Sequence, residues 1–152
     1  MNMHRATLIA FAAAGLSIAA GCGGASGHAG LSKPAYIKHA DAVCLKASRA
    51  EDALAQPASG SQRVAYVKRT YAIERGVVRR LRALAPAPGG AATIDAMLTN
   101  VDRALAFEPD VASAAISGNQ STINSAEARG APFLHRATTA AAAYGFAVCG
   151  NS

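Results

Sequence analysis

Along four stretches of the chain apolar residues recur at every third or fourth position, and nowhere do they alternate long enough to make a strand. Such a rhythm gives an α-helix one apolar side, so the chain is restricted to helices packed on helices. Alanine is the commonest residue of a sequence that is 51% hydrophobic, lacks Trp and is only 5% aromatic. It is the best helix former and a poor source of buried area. The composition therefore predicts close-packed helices around a thin core of modest stability without a covalent staple.

Ser32 reads as an N-cap, with Pro34 in the first turn of a helix that carries Tyr36, Ile37, Ala40, Cys44, Ala47 and Leu54 and stops at Gln56-Pro57. Ser61 reads as the cap of a second helix bearing Val64, Val67, Tyr71, Val78, Leu81 and Leu84, which Ala85-Pro86-Ala87-Pro88-Gly89-Gly90 terminates. A third helix is expected from Ala92 or Thr93 through Ile94, Leu98, Val101 and Leu105. Pro109 kinks or breaks it before a short continuation through Val111 and Ile116. A fourth runs from about Ser121 to a Gly145 cap through Ile123, Ala126, Gly130, Phe133, Leu134, Ala137, Ala141 and Tyr144, with Pro132 inside it. Short connections argue for an all-α, four-helix up-down-up-down bundle over residues 32–152, whose length holds one core and no second domain.

Met1 to Arg5 supplies a positive start, and Ala6 to Ala20 an uncharged apolar run about as long as a signal-peptide core. A membrane-spanning helix needs about 20 such residues. This run ends instead in Ala19-Ala20-Gly21 directly before Cys22. The ending resembles the lipobox of bacterial lipoproteins, with Ala19 in place of the usual leucine. The resemblance implies a diacylglyceryl group on Cys22, cleavage after Gly21, and a mature protein anchored to the extracytoplasmic face of the cell membrane. Two acyl chains make such anchoring stable. Residues 1–21 are then a signal peptide, and residues 22–31, mostly glycine and small residues, a flexible tether with a reach of about 16 Å.

With Cys22 assigned to lipid, Cys44 and Cys149 remain as an even pair in an oxidising compartment, and a disulfide between them is expected. It closes a loop of roughly 105 residues, for which chain entropy gives about 4 to 5 kcal/mol. The rival is a free nucleophilic Cys44 helped by His39 and Asp41. Five residues, however, place His39 about 140° round the helix from the sulfur.

Hydrolase, P-loop, dinucleotide, zinc and calcium signatures are absent, so no catalytic residue, metal or cofactor is assigned and a non-catalytic protein is expected. His135 and Met97, residue types that ligate haem in some proteins, read as an exposed histidine and a core methionine. The second helix carries Arg63, Lys68, Arg69, Arg75, Arg79, Arg80 and Arg82 against a single acid, Glu74. Lys68, Arg75, Arg79 and Arg82 are spaced seven, four and three apart and share one side. The chain has a net charge of +6, to which the leader contributes only Arg5. On an exported domain this stripe is expected to meet anionic lipid headgroups or an envelope polymer rather than nucleic acid.

Tyr36-Ile37 followed by Ala40-Asp41-Ala42-Val43-Cys44, the Leu81-Arg82-Ala83-Leu84 run ending in prolines, and the closing Tyr144-Gly145-Phe146-Ala147-Val148-Cys149-Gly150 span nearly the whole mature domain. Together they resemble small alanine-rich lipoproteins of high-GC actinobacteria. That resemblance implies the architecture and no particular activity. The leading expectation is a membrane-anchored envelope module that binds a polyanion, a protein or the membrane. The alternative is a carrier or sensor of a small apolar ligand held between the helices. A closed core fits the first and a large apolar cavity the second.

Overall fold

The computed structural model describes residues 30–150; the expected signal peptide, Cys22 and the expected tether up to residue 29 lie outside the described residues. Five helices make up the described chain: α1 (Lys33–Asp52), α2 (Gly60–Ala83), α3 (Pro88–Leu105), α4 (Glu108–Ser117) and α5 (Gln120–Tyr144). There is no strand among the described residues, only an isolated parallel bridge between Leu31 and Pro86. Leu31 donates to the Ala85 carbonyl at 2.8 Å and accepts from the Ala87 N–H at 2.9 Å. The last residue assigned to the tether is thus hydrogen-bonded into the body. No helix among the described residues is long and apolar enough to cross a membrane.

Helix starts follow local capping chemistry. The cap of α2 is Ser59, two residues before Ser61, because Ser59 and Gln62 form a reciprocal pair in which each side chain accepts from the other's backbone N–H. α3 begins at Pro88 rather than Ala92, since a first-turn proline comes with a helical φ and no N–H left to satisfy. The broken third helix of the sequence reading is two helices. Ala106 caps α3, Phe107 opens α4, and Pro109 falls in the first turn of α4. Ile116, expected along that continuation, is 65% exposed and contributes nothing to the core.

Packing centres on Tyr36, which is completely buried and donates its hydroxyl proton to the Leu81 carbonyl at 2.9 Å, joining α1 to the end of α2. Burial, with the Tyr144 hydroxyl nearby, pushes its phenol up to about 12. Tyr144 meets the Tyr36 ring edge-on at 6.4 Å. Gly145 adopts a left-handed conformation at φ 105°, which ends α5 and turns Phe146 back to stack on Tyr144 at 5.3 Å. At the start of α3, Gly90 packs so closely that a Cβ there would overlap the Tyr144 hydroxyl. A smaller cluster, Val111, Ala114, Ile123 and Ala126, lies between α4 and α5 and is closed by Val67 and Tyr71 of α2.

Cys44 and Cys149 form the expected disulfide, with S–S 2.03 Å and Cα atoms 5.4 Å apart. Cys44 is therefore no free nucleophile, and Asp41 is engaged elsewhere. Its carboxylate accepts the backbone N–H groups of Ala147 at 3.0 Å, Val148 at 3.0 Å and Cys149 at 3.1 Å. Partial burial opposes its ionisation, but these three donors prevail and hold the carboxyl below its usual range.

Candidate functional site

The basic face of α2 does not present the continuous free strip that its spacing predicts. Arg75 is paired with Glu108 at the start of α4, and Arg82 Nη2 lies 2.5 Å from Asp102 Oδ2 on α3. Half the expected stripe therefore ties helices together. Lys68 and Arg79 remain exposed with no salt bridge among the described residues. An open depression of about 350 Å³ between α4 and α5 is no better a candidate. Its opposite charges, Asp110 and Arg129, satisfy each other at 2.6 Å.

The feature that stands out is a partly open cavity of about 290 Å³ between α1, α2, α3 and α5. α1 contributes Cys44, Ala47, Ser48 and Glu51, and α2 contributes Glu74, Val77, Val78 and Leu81. α3 provides Met97, Leu98 and Val101. From α5 come Leu134, Ala137, Thr138 and Ala141, and the cystine completes the wall through Cys149. Small side chains explain the hollow. Ala47 and Ser48 on one wall, with Ala137 and Ala141 on another, are too short to interdigitate with Leu81 and Leu98, so the alanine-rich composition leaves space where larger residues would fill it. Leu134 is 43% exposed, a large apolar side chain at the edge of the cavity.

Two carboxylates interrupt this lining, one from α1 and one from α2. Glu51 continues the spacing Ala40, Cys44, Ala47, and Glu74 falls between Tyr71 and Val78, so both sit in register with the apolar stripes of their helices. Neither makes a salt bridge or side-chain hydrogen bond with a described residue. Burial, reinforced by the charge of Glu51 and only partly offset by Arg75, pushes Glu74 up to about 7. Burial, then the neighbouring Asp52, also raises Glu51.

Reasoning from motifs missed both residues, although the signal was legible: a glutamate at a position where the helical rhythm demands an apolar side chain. Met97 is 4% exposed in the cavity wall and His135 is exposed, as their sequence positions suggest. Among the described residues no cluster of His, Cys, Asp or Glu is arranged to hold a metal ion. Comparison with protein-family models, with curated proteins and with solved structures yields no match.

Proposed function

We propose that the chain is a lipid-anchored extracytoplasmic lipoprotein whose helical domain carries or senses a small, largely apolar molecule. The cavity carries this reading. At about 290 Å³ it lies near the lower end of small-molecule pockets, which run from about 300 to 1,000 Å³, and is about twice the size of an engineered apolar void that admits benzene. A ligand of one or two rings, or a short alkyl chain, matches that volume. The mainly apolar lining supports binding rather than catalysis.

The anchor rests on the apolar leader and the small residues before Cys22, and it is supported by the cystine, since such bonds persist in oxidising compartments outside the cytoplasm. Short connections support an up-down-up-down course for the helices, with α3 and α4 as one leg bent at Ala106-Phe107.

Two measurements test the reading. Met97 is the sole methionine of the mature sequence, so its labelled methyl group reports on the cavity alone once the leader is removed. Titration with phenylbutanol should give a saturable shift of that resonance, and Ala47→Leu, which fills one wall, should abolish it. A resonance indifferent to the alcohol would reduce the cavity to a packing defect. For the anchor, Cys22→Ala should release the protein from membranes. Retention after a high-salt wash would show that lipid on Cys22 is not what holds it.

A further inference from the structure

We infer that the cavity recognises a cation: an amine whose apolar body lies among Leu81, Met97, Leu98 and Val101 while its ammonium group sits between Glu51 and Glu74. This rests on the ligand-binding reading and names its chemical class.

The chain carries an excess of six positive charges, and its helix-joining acids find partners: Glu108 takes Arg75, Asp102 takes Arg82 and Asp110 takes Arg129. Glu51 and Glu74, which line an apolar hollow, have no such partner among the described residues. The nearest arginine in sequence, Arg75, pairs with Glu108 instead. Removing a carboxylate from water is costly unless a counter-charge or hydrogen bonds replace the solvent. The absent counter-charge is one that a ligand can supply.

The surroundings of Glu74 agree. From α1 it faces Glu51, and on its own helix Arg75 acts on it while its charge in turn raises Tyr71. Glu108 of α4 is engaged with Arg75, and the parts of α3 and α5 that line the cavity hold no charged residue. Apart from the proton itself and Arg75, which is engaged with Glu108, no cation of the cavity lining competes with an ammonium group for the two carboxylates. A neutral apolar ligand would leave them desolvated and unpaired, and an anionic one would add a third negative charge. The raised affinity of Glu74 for its proton is what a cation site lacking its cation displays.

The test compares three molecules of one shape, phenylbutylamine, phenylbutanol and phenylbutanoate, titrated into the lipidated chain in zwitterionic nanodiscs and read at the Met97 methyl. At about pH 8 the amine, protonated below about 10, should bind about tenfold tighter than the alcohol or the acid. Its advantage should shrink as pH falls through the range in which Glu74 takes up a proton, because proton and ammonium compete for one carboxylate. Glu74→Gln and Glu51→Gln should each bring the amine down toward the alcohol. Equal binding of amine and alcohol, with both shifting Met97, would overturn the cation while keeping the cavity. Tighter binding of phenylbutanoate would overturn it too, by showing that a protonated Glu74 donates to an anion. If none of the three moves Met97, ligand binding and cation recognition fall together.

Discussion

Asp41 and Cys149 meet at 3.1 Å, the carboxylate of α1 accepting the backbone N–H of the residue whose sulfur is bonded to Cys44 one turn further along the same helix. The chain end is therefore held twice at one place, by a covalent bond and by charge-assisted hydrogen bonds to three successive amides. Because the folded state holds the Asp41 carboxyl below its ordinary value, its contribution to stability is present above that value and is lost as pH falls through the lowered one. Asp41→Ala should cost about 1 to 2 kcal/mol at neutral pH, after discounting for its partial exposure, and flatten the acid side of the stability curve. Chemical denaturation between neutral and acid pH measures both effects. Unchanged stability at neutral pH would mean that the cystine alone positions the segment.

Removing the staple itself should be more costly. The bond spans a separation of 105 residues, and replacing both Cys44 and Cys149 by Ala should lower stability by about 2 to 4 kcal/mol, or roughly 10 °C in Tm. Both residues also line the cavity, so the double variant should bind phenylbutanol more weakly at temperatures where it remains folded. Thermal scans with and without reductant provide the first number, and the Met97 methyl the second. A reduced protein that melts with the oxidised one would show that the core stands without its cross-link.

At the other end of the core, a methyl group at position 90 has no room beside the Tyr144 hydroxyl. Gly90→Ala should therefore cost about 1 to 3 kcal/mol by overpacking, despite alanine's better helix propensity. Tyr144→Phe removes the obstructing oxygen while retaining the ring stacked on Phe146. In the Gly90→Ala background it should restore part of the loss, and a double-mutant cycle by thermal unfolding gives the coupling. Additive effects would mean that α3 shifts rather than clashes.

Helices and cystine were legible because each rests on a simple signal, apolar spacing for the first and, for the second, the parity of the thiols left once Cys22 is set aside. Starts were legible only where one residue decides. Ser32 flanks α1 as expected, but the start of α2 depends on reciprocal bonding between Ser59 and Gln62, and Pro109 opens a helix only because α3 has already ended at Leu105. The cavity was not legible, because it arises where Ala47 and Ser48 of α1 oppose Ala137 and Ala141 of α5 across residues distant in sequence. Glu51 and Glu74 were visible in their stripes. Motif templates pass over them because they belong to no motif.

Pairing of half the α2 stripe changes what its charges are expected to do. Arg82 and Asp102 are both nearly half exposed, so Arg82→Ala should cost less than about 1 kcal/mol of stability. Lys68 and Arg79 make no salt bridge among the described residues, and reversing both should weaken binding to anionic vesicles by about 1 kcal/mol for each charge, the loss fading as salt rises. Vesicle sedimentation at low and high salt checks this. A larger loss on changing the paired Arg75 and Arg82 would show that their ion pairs open at a membrane.

Glu74 reverses the pH behaviour of Asp41. Its folded carboxyl keeps a proton up to about 7, whereas the unfolded chain releases it near 4.5, so between these values the folded state binds more protons. The associated stability is fully present below about 4.5 and is lost as pH rises through about 7, a change on the order of 3 kcal/mol in the empty protein. Glu74→Gln keeps the shape and removes the charge, so the variant should be more stable than the wild type at about pH 8 and should lose most of the slope between the two values, keeping only the part due to Glu51, whose carboxyl burial also raises. Denaturation at three pH values decides the matter, since Asp41 acts only on the acid side and the two effects separate. The same titration with saturating phenylbutylamine should diminish the slope in the wild type, because an ammonium group against Glu74 lowers its affinity for a proton. A slope that persists undiminished in Glu74→Gln would assign the pH dependence to another group and remove the strain that the cation is proposed to relieve.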